Sequence, residues 1–387
     1  MPKNQNKLHH YQGGVLGIDD TPVKNNYDIV IVGGGPAGAA AAITLGRYTM
    51  LKVAIIERSA FDDYRAGESV SPAIYPLLDY LGVSREKIEA IHLPSYGHAA
   101  AWGDEKLLTR DFMFTGQGNG LHLDREKFDT LLLEEAACAG ASIFQPAEIL
   151  RMEFNQGWEV DIRTMQTNLT INAAYLIDCS GKNAAIVKSS GCPVHKEDSL
   201  IGLYAYYNLT NDMVLPQQTL IETTEHGWYY LAPLPGKKIA IAFITDADIL
   251  KKLNLNDAAQ WLAAGSKTSH VAKIIKKLPP PEAFRHYAIH SRVAKLPIAE
   301  KWTAAGDAAA CFDPISSLGI GHAINSGIHS ARVAEASLKG DESVAANYNR
   351  HLLNHFETYL HMRHGFYSAE KRWEHSPFWQ RRAALHK

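Results

Sequence analysis

Three glycines with a fixed spacing, Gly33, Gly35 and Gly38, stand between a run of apolar residues and a run of small ones. In a strand–turn–helix unit the first glycine makes the tight turn, the second lets a pyrophosphate approach the backbone, and the third lets the helix pack closely. A helix that begins at Pro36 and Ala37 points its first N–H groups at phosphate charge. The spacing therefore predicts a turn that binds a dinucleotide.

The residues around this turn have the pattern of two strands and a helix. Residues 27–32 form an apolar strand, residues 36–45 a small-residue helix, and a second apolar run ends at Glu57. Glu57 lies 24 residues after Gly33 (57 − 33), where a carboxylate can accept hydrogen bonds from ribose hydroxyls. We expect Glu57 and the adjacent Arg58 to belong to the cofactor site.

A second motif, GDAAACFDPISSLGIG, begins at Gly306. It resembles the second FAD motif of flavoprotein hydroxylases. The resemblance implies that Asp307 bonds the ribityl chain and that Pro314 turns the backbone. It also implies that Gly319 and Ile320 open a helix whose N–H groups face the flavin pyrimidine, where they stabilise the negative charge of reduced flavin. The two motifs together predict FAD as the cofactor.

Other segments place side chains beside the same cofactor. The segment LHLDREKFDTLLLEEA predicts a helix that begins at Arg125. It resembles a helix of the flavoprotein hydroxylase superfamily, in which an arginine at this position approaches FAD. Ser69, in RAGESVSP, is assigned to the same site. The segment from Asp178 to Lys182 resembles the strand and turn beside the cofactor in the halogenase branch. No second Gly-x-Gly-x-x-Gly stands between a strand and a helix, so we expect no separate NAD(P)H domain, and reduced flavin or NAD(P)H remains open as the electron source.

The order of these patterns predicts an α/β protein. The expected architecture is a Rossmann-like FAD-binding fold of the p-hydroxybenzoate hydroxylase/halogenase type, with an antiparallel substrate-binding sheet and C-terminal helices. The alternating residues between the cofactor segments are typical of antiparallel strands. The predicted divisions are a flexible N-terminal arm at 1–26, an FAD-binding domain at 27–95, 115–195 and 285–340, a substrate-binding sheet at 96–114 and 196–284, and a C-terminal helical segment at 341–387.

Over roughly residues 27–385 the chain resembles the tryptophan-halogenase-like branch of FAD-dependent monooxygenases. The resemblance rests on GGGPAG, RAGESVSP, DCSGK, GWYYLAPLP, GDAAACFDPISSLGIG and the tail FY…KRW…SPFWQRR. Three halogenase features are altered. Tyr230 and Ala232 replace the second Trp and the Ile of the Trp motif, His98 lies nearest the position of the strand lysine, and Leu318 replaces the halide-side threonine.

These departures favour hydroxylation over halogenation, because a flavin C4a-hydroperoxide can still transfer OH to an electron-rich ring without the lysine. Short members of this branch resemble the flavoproteins that mature cysteine tryptophylquinone in quinoproteins of the lysine-oxidase and glycine-oxidase type. The resemblance implies an FAD-dependent monooxygenase that hydroxylates a tryptophan of a precursor protein. Its partners would be the precursor of a quinoprotein amino-acid oxidase and molecular oxygen.

The sequence is also compatible with three other functions. The first is a hydroxylase, or less readily a halogenase, of a free aromatic compound. The second is a reductase of the geranylgeranyl type, which shares both glycine motifs, although the Tyr-rich sheet argues against a tunnel for long isoprenoids. The third is a flavin-binding chaperone that escorts a precursor without chemistry.

The candidate catalytic residues are His98, Trp228 and His322, each expected near the flavin edge. His226 is a further acid–base candidate, although any one histidine is more often a structural residue. The aromatic residues of the predicted substrate sheet could line a substrate pocket or form a core against a helix layer. Both interpretations stay open for Tyr204, Tyr206, Tyr207, Trp228, Tyr229 and Tyr230.

Composition excludes several classes of function. The net charge of −2 favours neither nucleic acid nor an anionic membrane, and no apolar run is long enough to span a bilayer. The first residues lack the apolar core of a signal peptide, so the expected compartment is the cytoplasm. The four scattered cysteines predict free thiols, and the pair His351 and His355 predicts solvated surface histidines, so no metal site is expected.

Overall fold

The computed structural model describes residues 25–299 and 301–383. Residues 1–24 of the predicted arm lie outside this range, and its last two residues belong to the first strand. The strands are β1 (Asn25–Val32), β2 (Val53–Ile56), β3 (Ser69–Val70), β4 (Leu93–Ser95), β5 (Gly97–Ala101), β6 (Leu108–Asp111), β7 (Gly120–His122), β8 (Ser142–Phe144), β9 (Ala147–Phe154), β10 (Trp158–Thr164), β11 (Asn168–Asp178), β12 (Val194–Lys196), β13 (Leu200–Asn208), β14 (Thr219–Thr224), β15 (Gly227–Leu234), β16 (Lys238–Asp246), β17 (Ala283–Ala288), β18 (Arg292–Ala294), β19 (Ile298–Ala299), β20 (Trp302–Ala304) and β21 (Ala310–Cys311). The helices are α1 (Pro36–Tyr48), α2 (Tyr75–Tyr80), α3 (Arg85–Ile91), α4 (Arg125–Cys138), α5 (Ala185–Ser189), α6 (Ala247–Lys252), α7 (Ala258–Gly265), α8 (Val271–Ile275), α9 (Gly319–Leu338), α10 (Ser343–Ser368) and α11 (Pro377–Ala383).

The first sheet carries the glycine turn. Its parallel strands have the order β20-β11-β1-β2-β8, while β19 extends one end and the hairpin of β9 and β10 adds to β11. All four residues of β2 and the last four of β1 are buried. Both faces of these strands are covered, which is why their sequences are continuously apolar rather than alternating.

Two helices that cover this sheet approach each other very closely. An added Cβ at Gly327 of α9 would overlap the carbonyl oxygen of Ala37 in α1, and one at Gly38 would overlap the carbonyl oxygen of Gly33. The run of alanines in α1 is buried throughout residues 37–45. Small residues therefore let both helices begin beside the same strand ends.

The second sheet has the order β17-β13-β16-β15-β14-β5-β6. Its neighbours are antiparallel except for β5 and β14, which run parallel. The predicted sheet is therefore antiparallel with one parallel pair. The physical reason is that the chain builds α4 and four of the eight strands of the first sheet between β5 and β14, so no hairpin fixes their relative direction.

The two faces of the second sheet pack against different layers. One face contributes Leu203, Tyr207 and Tyr229 to a core closed by α6, α7 and α8, in which Trp261 is buried. The opposite face carries Trp228 and packs against the C-terminal helices. Because side chains alternate along a strand, neighbouring aromatic residues enter different cores.

The C-terminal helices are fastened to the second sheet. Arg382 of α11 is buried and donates to both carboxylate oxygens of Asp246, at 2.5 and 3.1 Å, where β16 ends. Trp379 Nε1 donates to the carbonyl oxygen of Thr224 at 2.9 Å. Within the described part of the chain, no helix is both long and apolar enough to span a bilayer.

We predict that Gly327→Ala destabilises the protein by about 1–3 kcal/mol, because the added methyl group must push α9 away from the α1 backbone. The measurement is the free energy of unfolding in urea. The matched control is Gly365→Ala in α10, where an added Cβ has no atom within 4 Å. It removes a helix glycine, so it should stabilise by up to ~1 kcal/mol. Equal effects of both substitutions would contradict the close crossing.

Candidate active site

A cavity of about 690 Å³ lies where the parallel strands of the first sheet end and the second sheet begins. The turns after β1, β2, β11 and β20 form one side of it, and side chains of β5, β13, β14 and β15 form the other. Ligands of open α/β sheets bind outside the carboxyl ends of the strands. The cavity is therefore the candidate site.

The glycine turn lies on the cavity wall in the conformation that a pyrophosphate site requires. Gly33 has φ +104°, and an added Cβ there would overlap the carbonyl oxygen of Cys179. An added Cβ at Gly35 would meet no atom within 4 Å, so the backbone faces open space. Pro36 and Ala37 then open α1, and both line the cavity. Gly38 lies behind them and serves the helix–strand packing.

Glu57 lines the cavity at the end of β2 and also organises the turn. Its Oε2 accepts from Gly34 N–H at 2.8 Å, and its Oε1 accepts from the Ser59 N–H and hydroxyl at 2.8 and 2.7 Å. Arg58 lines the cavity beside it. Each carboxylate oxygen can accept two hydrogen bonds, so Oε2 keeps capacity for a ribose hydroxyl. The ribose contact itself stays a prediction.

A second helix N-terminus opens onto the same cavity. Pro314 begins a short 3-10 turn, Ser317 follows with φ +52°, and α9 starts at Gly319. An added Cβ at Gly319 or Gly321 would meet no atom within 4 Å. Gly319 and Ile320 line the cavity. The positive end of a 20-residue helix therefore faces the space where the flavin pyrimidine is expected.

Asp307 is the acidic residue of the second motif, and it lines the cavity. Arg292 donates to its backbone oxygen at 2.7 Å, which fixes the turn. Among the described residues, the side-chain carboxylate of Asp307 has no hydrogen-bond partner. A free carboxylate on the cavity wall is suited to a ribityl hydroxyl.

Arg125 and Ser69 also line the cavity. Arg125 heads α4 as predicted, pairs with the buried Asp129 at 2.9 Å, and donates to the Ala66 carbonyl oxygen. Ser69 Oγ accepts from the Thr219 hydroxyl at 3.1 Å, which ties β3 to β14. Arg125 thus braces the loop before β3 against α4. Direct contact of either side chain with FAD stays a prediction.

The catalytic candidates do not all reach the cavity. His98 and Trp228 line it, whereas His322 is not among the lining side chains of the described chain. The ring of His322 packs between Phe312 and His355, with centroids 4.6 and 5.8 Å away, and burial lowers its pKa to about 3. Burial also lowers the pKa of His98. Both rings are therefore neutral near pH 7.

The aromatic residues of the second sheet divide between the two open interpretations. Tyr204, Trp228 and Tyr230 line the cavity. Tyr207 and Tyr229 belong to the core on the opposite face, against the helices. The alternation of side chains along each strand explains why one aromatic run serves both purposes.

Trp228 is held by a chain of buried hydrogen bonds. Its Nε1 donates to the Tyr367 hydroxyl at 3.1 Å, and that hydroxyl donates to Asp313 Oδ2 at 2.7 Å. Arg363 bridges Asp313 and Asp198, at 3.3 and 2.9 Å. The chain links the cavity wall to α10 and to the turn before α9.

If the substrate is a protein tryptophan, we expect the precursor to contact the tail from Tyr367 to Arg382 and the sheet edge near Trp102 and Trp228. This expectation is wrong for Tyr367, Trp379 and Trp228, which are at most 2% exposed, whereas Trp102 and Trp373 are partly exposed. The tail instead forms the core beneath the second sheet. Packing an otherwise uncovered apolar sheet face explains why the tail is aromatic.

Two features of the site are not among the predicted residues. Glu68 lines the cavity as a buried carboxylate, and Tyr367 fixes the cavity tryptophan from the C-terminal helix. An acid among small residues in RAGESVSP is a signal for the first. Nothing in the local sequence near Tyr367 indicates its distant partner.

The residues of this cavity fit FAD. Two helix N-termini, the open backbone at Gly35 and Gly319, and the free Asp307 carboxylate match a diphosphate, a flavin ring and a ribityl chain. Fold and site together define a flavin-binding oxidoreductase.

Comparison with known proteins agrees with this class. Residues 26–357 match the FAD binding domain family. LodB of Marinomonas mediterranea, an FAD-dependent oxidoreductase, is 32% identical over 365 residues, which are 93% of this chain and 98% of LodB. The chain belongs to the FAD binding domain family, its cofactor is FAD, and it is an FAD-dependent oxidoreductase.

Solved structures with the same fold confirm the predicted architecture. The flavin-dependent halogenase CmlS superimposes with a TM-score of 0.81 at 25% identity, over 94% of this chain and 68% of CmlS. The peptidyl tryptophan dihydroxylase QhpG superimposes with a TM-score of 0.76 at 20% identity, over 94% of this chain and 81% of QhpG. The halogenase-like branch indicated by the motifs is therefore confirmed, and QhpG shares its fold.

We predict that Asp307→Ala weakens FAD binding by roughly tenfold or more, because a ribityl hydroxyl loses its acceptor at ~1–3 kcal/mol. The measurement is a titration of the apoprotein with FAD, followed by flavin fluorescence. Asp212→Ala, in an exposed loop, is the control and should bind FAD as the unaltered chain does. Full FAD affinity in Asp307→Ala would contradict the assignment.

We predict that Tyr367→Phe destabilises the protein by ~1–3 kcal/mol, because Trp228 Nε1 and Asp313 Oδ2 each lose a partner while remaining buried. The measurement is urea unfolding of the FAD-loaded protein. The control is Tyr48→Phe, which removes an exposed hydroxyl that donates to the Tyr80 carbonyl oxygen at 3.2 Å. A Tyr367→Phe protein as stable as this control would show that the hydrogen-bond chain contributes nothing.

Proposed function

We propose that the chain is an FAD-dependent monooxygenase that hydroxylates a tryptophan side chain of a precursor protein during cysteine tryptophylquinone biogenesis. The observation that carries this proposal is the aromatic wall of Tyr204, Trp228 and Tyr230, which the second sheet presents across the cavity from the flavin motifs. Flat aromatic walls suit a flat aromatic guest. FAD, when bound and reduced, activates molecular oxygen for transfer to an electron-rich ring.

The relatives support the same reaction class. QhpG is a peptidyl tryptophan dihydroxylase essential for tryptophylquinone cofactor biogenesis, and it has this fold. LodB matches the chain over almost its whole length. In this proposal the protein substrate is the precursor of a quinoprotein amino-acid oxidase, and reduced flavin or NAD(P)H supplies the electrons.

The cavity lacks the arrangement that halogenation needs. The strand β5 reads Gly-His-Ala-Ala-Ala and carries no lysine. A lysine does line the cavity, but Lys182 belongs to the turn after β11, and its Nζ lies 5.9 Å from the centroid of the Tyr287 ring. Leu318, before α9, offers no hydroxyl to a halide. These features favour oxygen transfer over halide oxidation.

The chain's own side chains would orient the ring and exclude water. Trp228 is fully buried and fixed by Tyr367, so it supplies a rigid wall. Of the two histidines among the predicted catalytic residues, His98 lines the cavity, and its buried Nδ1 has no hydrogen-bond partner among the described residues. His322 lies outside the lining, so we assign it a packing role.

A second candidate is a hydroxylase of a free aromatic compound. It is favoured by the burial of Tyr367, Phe378 and Trp379, which removes these rings from the surface expected to bind a protein.

Co-expression of a quinoprotein oxidase precursor with this chain tests the proposal. We expect mass spectrometry of the precursor to show oxygen added to one tryptophan. Gly35→Trp fills the open space at the pyrophosphate turn and should abolish the modification, whereas Gly365→Trp, on the exposed side of α10, should leave it intact.

Three results would count against the proposal. If the precursor tryptophan gains oxygen without this chain, or gains it equally with Gly35→Trp, the hydroxylase of a free aromatic compound becomes the favoured function. A brominated indole formed with bromide, oxygen and reduced FAD at catalytic turnover would instead indicate a halogenase.

A further inference from the structure

Glu68 is a buried carboxylate on the wall between the flavin motifs and the second sheet. It is 3% exposed and lines the cavity immediately before β3. The preceding Gly67 has φ +109°, and an added Cβ there would lie 2.7 Å from Arg125 and 3.3 Å from Ile320. This turn therefore brings the carboxylate close to the start of α9.

The carboxylate has hydrogen-bonding capacity to spare. Its Oε1 accepts from the Tyr206 hydroxyl and its Oε2 from Gly67 N–H, each at 3.0 Å. Two carboxylate oxygens can accept about four hydrogen bonds, so about two remain. Burial raises the pKa of Glu68, and hydrogen bonds from Gly67 and Tyr206 and the charge of Arg125 oppose that effect.

The groups around Glu68 are phenols rather than strong cationic partners. Burial, and after it the charge of Glu68, raises the pKa of Tyr204 and Tyr230. Arg125 is already paired with the buried Asp129. Glu68 therefore lies among phenols, with the already paired Arg125 nearby, and it has no ion-pair partner of its own within 4 Å in the described chain.

Such a wall is complementary to one kind of guest. Flat aromatic sides favour a flat ring, and a lone buried acceptor favours a ring that carries one hydrogen-bond donor. Indole has this combination, with one N–H on an otherwise apolar bicycle. An ionised carboxylate is also the strongest acceptor that a side chain can offer to an N–H donor.

We propose that Glu68 accepts the ring N–H of the substrate indole and thereby fixes which edge of the ring faces the flavin. The inference rests on the proposed function, because that function assigns an indole to the cavity. A carboxylate held against the N–H also stabilises the positive charge that develops on the ring as oxygen adds to it. Glu68 is then a residue that contacts the substrate and determines specificity.

The test compares two ligands that differ only in the donor. The oxidised, FAD-loaded protein is titrated with 3-methylindole and with 3-methylbenzothiophene, in which sulfur replaces the N–H, and binding is read from the flavin absorbance. The titration is done at alkaline pH, so that Glu68 is ionised although burial raises its pKa. A hydrogen bond to this charged acceptor gives about a tenfold or greater preference for 3-methylindole. In Glu68→Gln this preference should fall below about threefold, because the acceptor is no longer charged.

A matched control separates this effect from loss of a carboxylate in general. Glu89 also accepts from a tyrosine hydroxyl, that of Tyr75 at 3.0 Å, but it is exposed and outside the cavity lining. Glu89→Gln should keep the full preference. Tyr206→Phe removes a competing donor from Glu68, so it should keep or increase the preference for 3-methylindole. This variant replaces Glu68→Gln in the test if Glu68→Gln does not retain FAD.

Several outcomes would overturn the inference. They are an unchanged preference in Glu68→Gln, a reduced preference in Tyr206→Phe, a preference lost in His98→Gln instead, or no binding of 3-methylindole at its solubility limit. The readout is binding to the oxidised protein and requires no precursor. A preference that depends on Glu68 together with an unmodified precursor would therefore refute only the protein substrate.

Discussion

The close crossing of α1 and α9 is the constraint on which the rest of the structure depends. At Gly327 the two backbones approach so closely that even a methyl group would overlap the carbonyl oxygen of Ala37. This crossing places the N-termini of both helices on one cavity, although the two motifs lie far apart in the chain. Both helix dipoles then favour negative charge in the same space, one for a diphosphate and the other for a reduced flavin ring.

The second sheet forms the side of the cavity opposite the flavin motifs and so completes the candidate active site. One face presents aromatic side chains to the cavity, and the other is sealed by α6, α7 and α8. Helix α10 packs against the second flavin motif, where His355 and Tyr359 contact the ring of Phe312. The same helix carries Tyr367, which connects Trp228 on the cavity wall to Asp313 beside the turn that opens α9. Changes in α10 can thus reach the substrate wall and the flavin turn together.

Most of the cofactor side could be predicted from the sequence, because its determinants are local. The turn at Gly33, the start of α1 at Pro36, the start of α4 at Arg125 and the start of α9 at Gly319 all follow from short segments with a steric or electrostatic reason. The family comparisons confirm FAD and the halogenase-like fold. Contacts of individual side chains with FAD stay predictions.

The substrate side was less predictable because its determinants are distant in sequence. His322 has the right position in the motif, but its ring points into a packed cluster with Phe312 and His355. The aromatic tail is expected to contact a partner protein, yet its residues Tyr367, Phe378 and Trp379 pack against one face of the second sheet and form a core there. Glu68 and Tyr206 lie well apart in the chain and meet only through the fold.

The central claim is that this cavity transfers oxygen from molecular oxygen to a tryptophan side chain of a protein. The most direct measurement incubates the purified chain with FAD, a reductant and an unmodified quinoprotein precursor under dioxygen enriched in the heavy oxygen isotope. We expect a modified tryptophan whose added oxygen carries the heavy label. Added oxygen that comes from water, or a precursor whose tryptophan remains unmodified while the flavin is reduced and reoxidised, would contradict it.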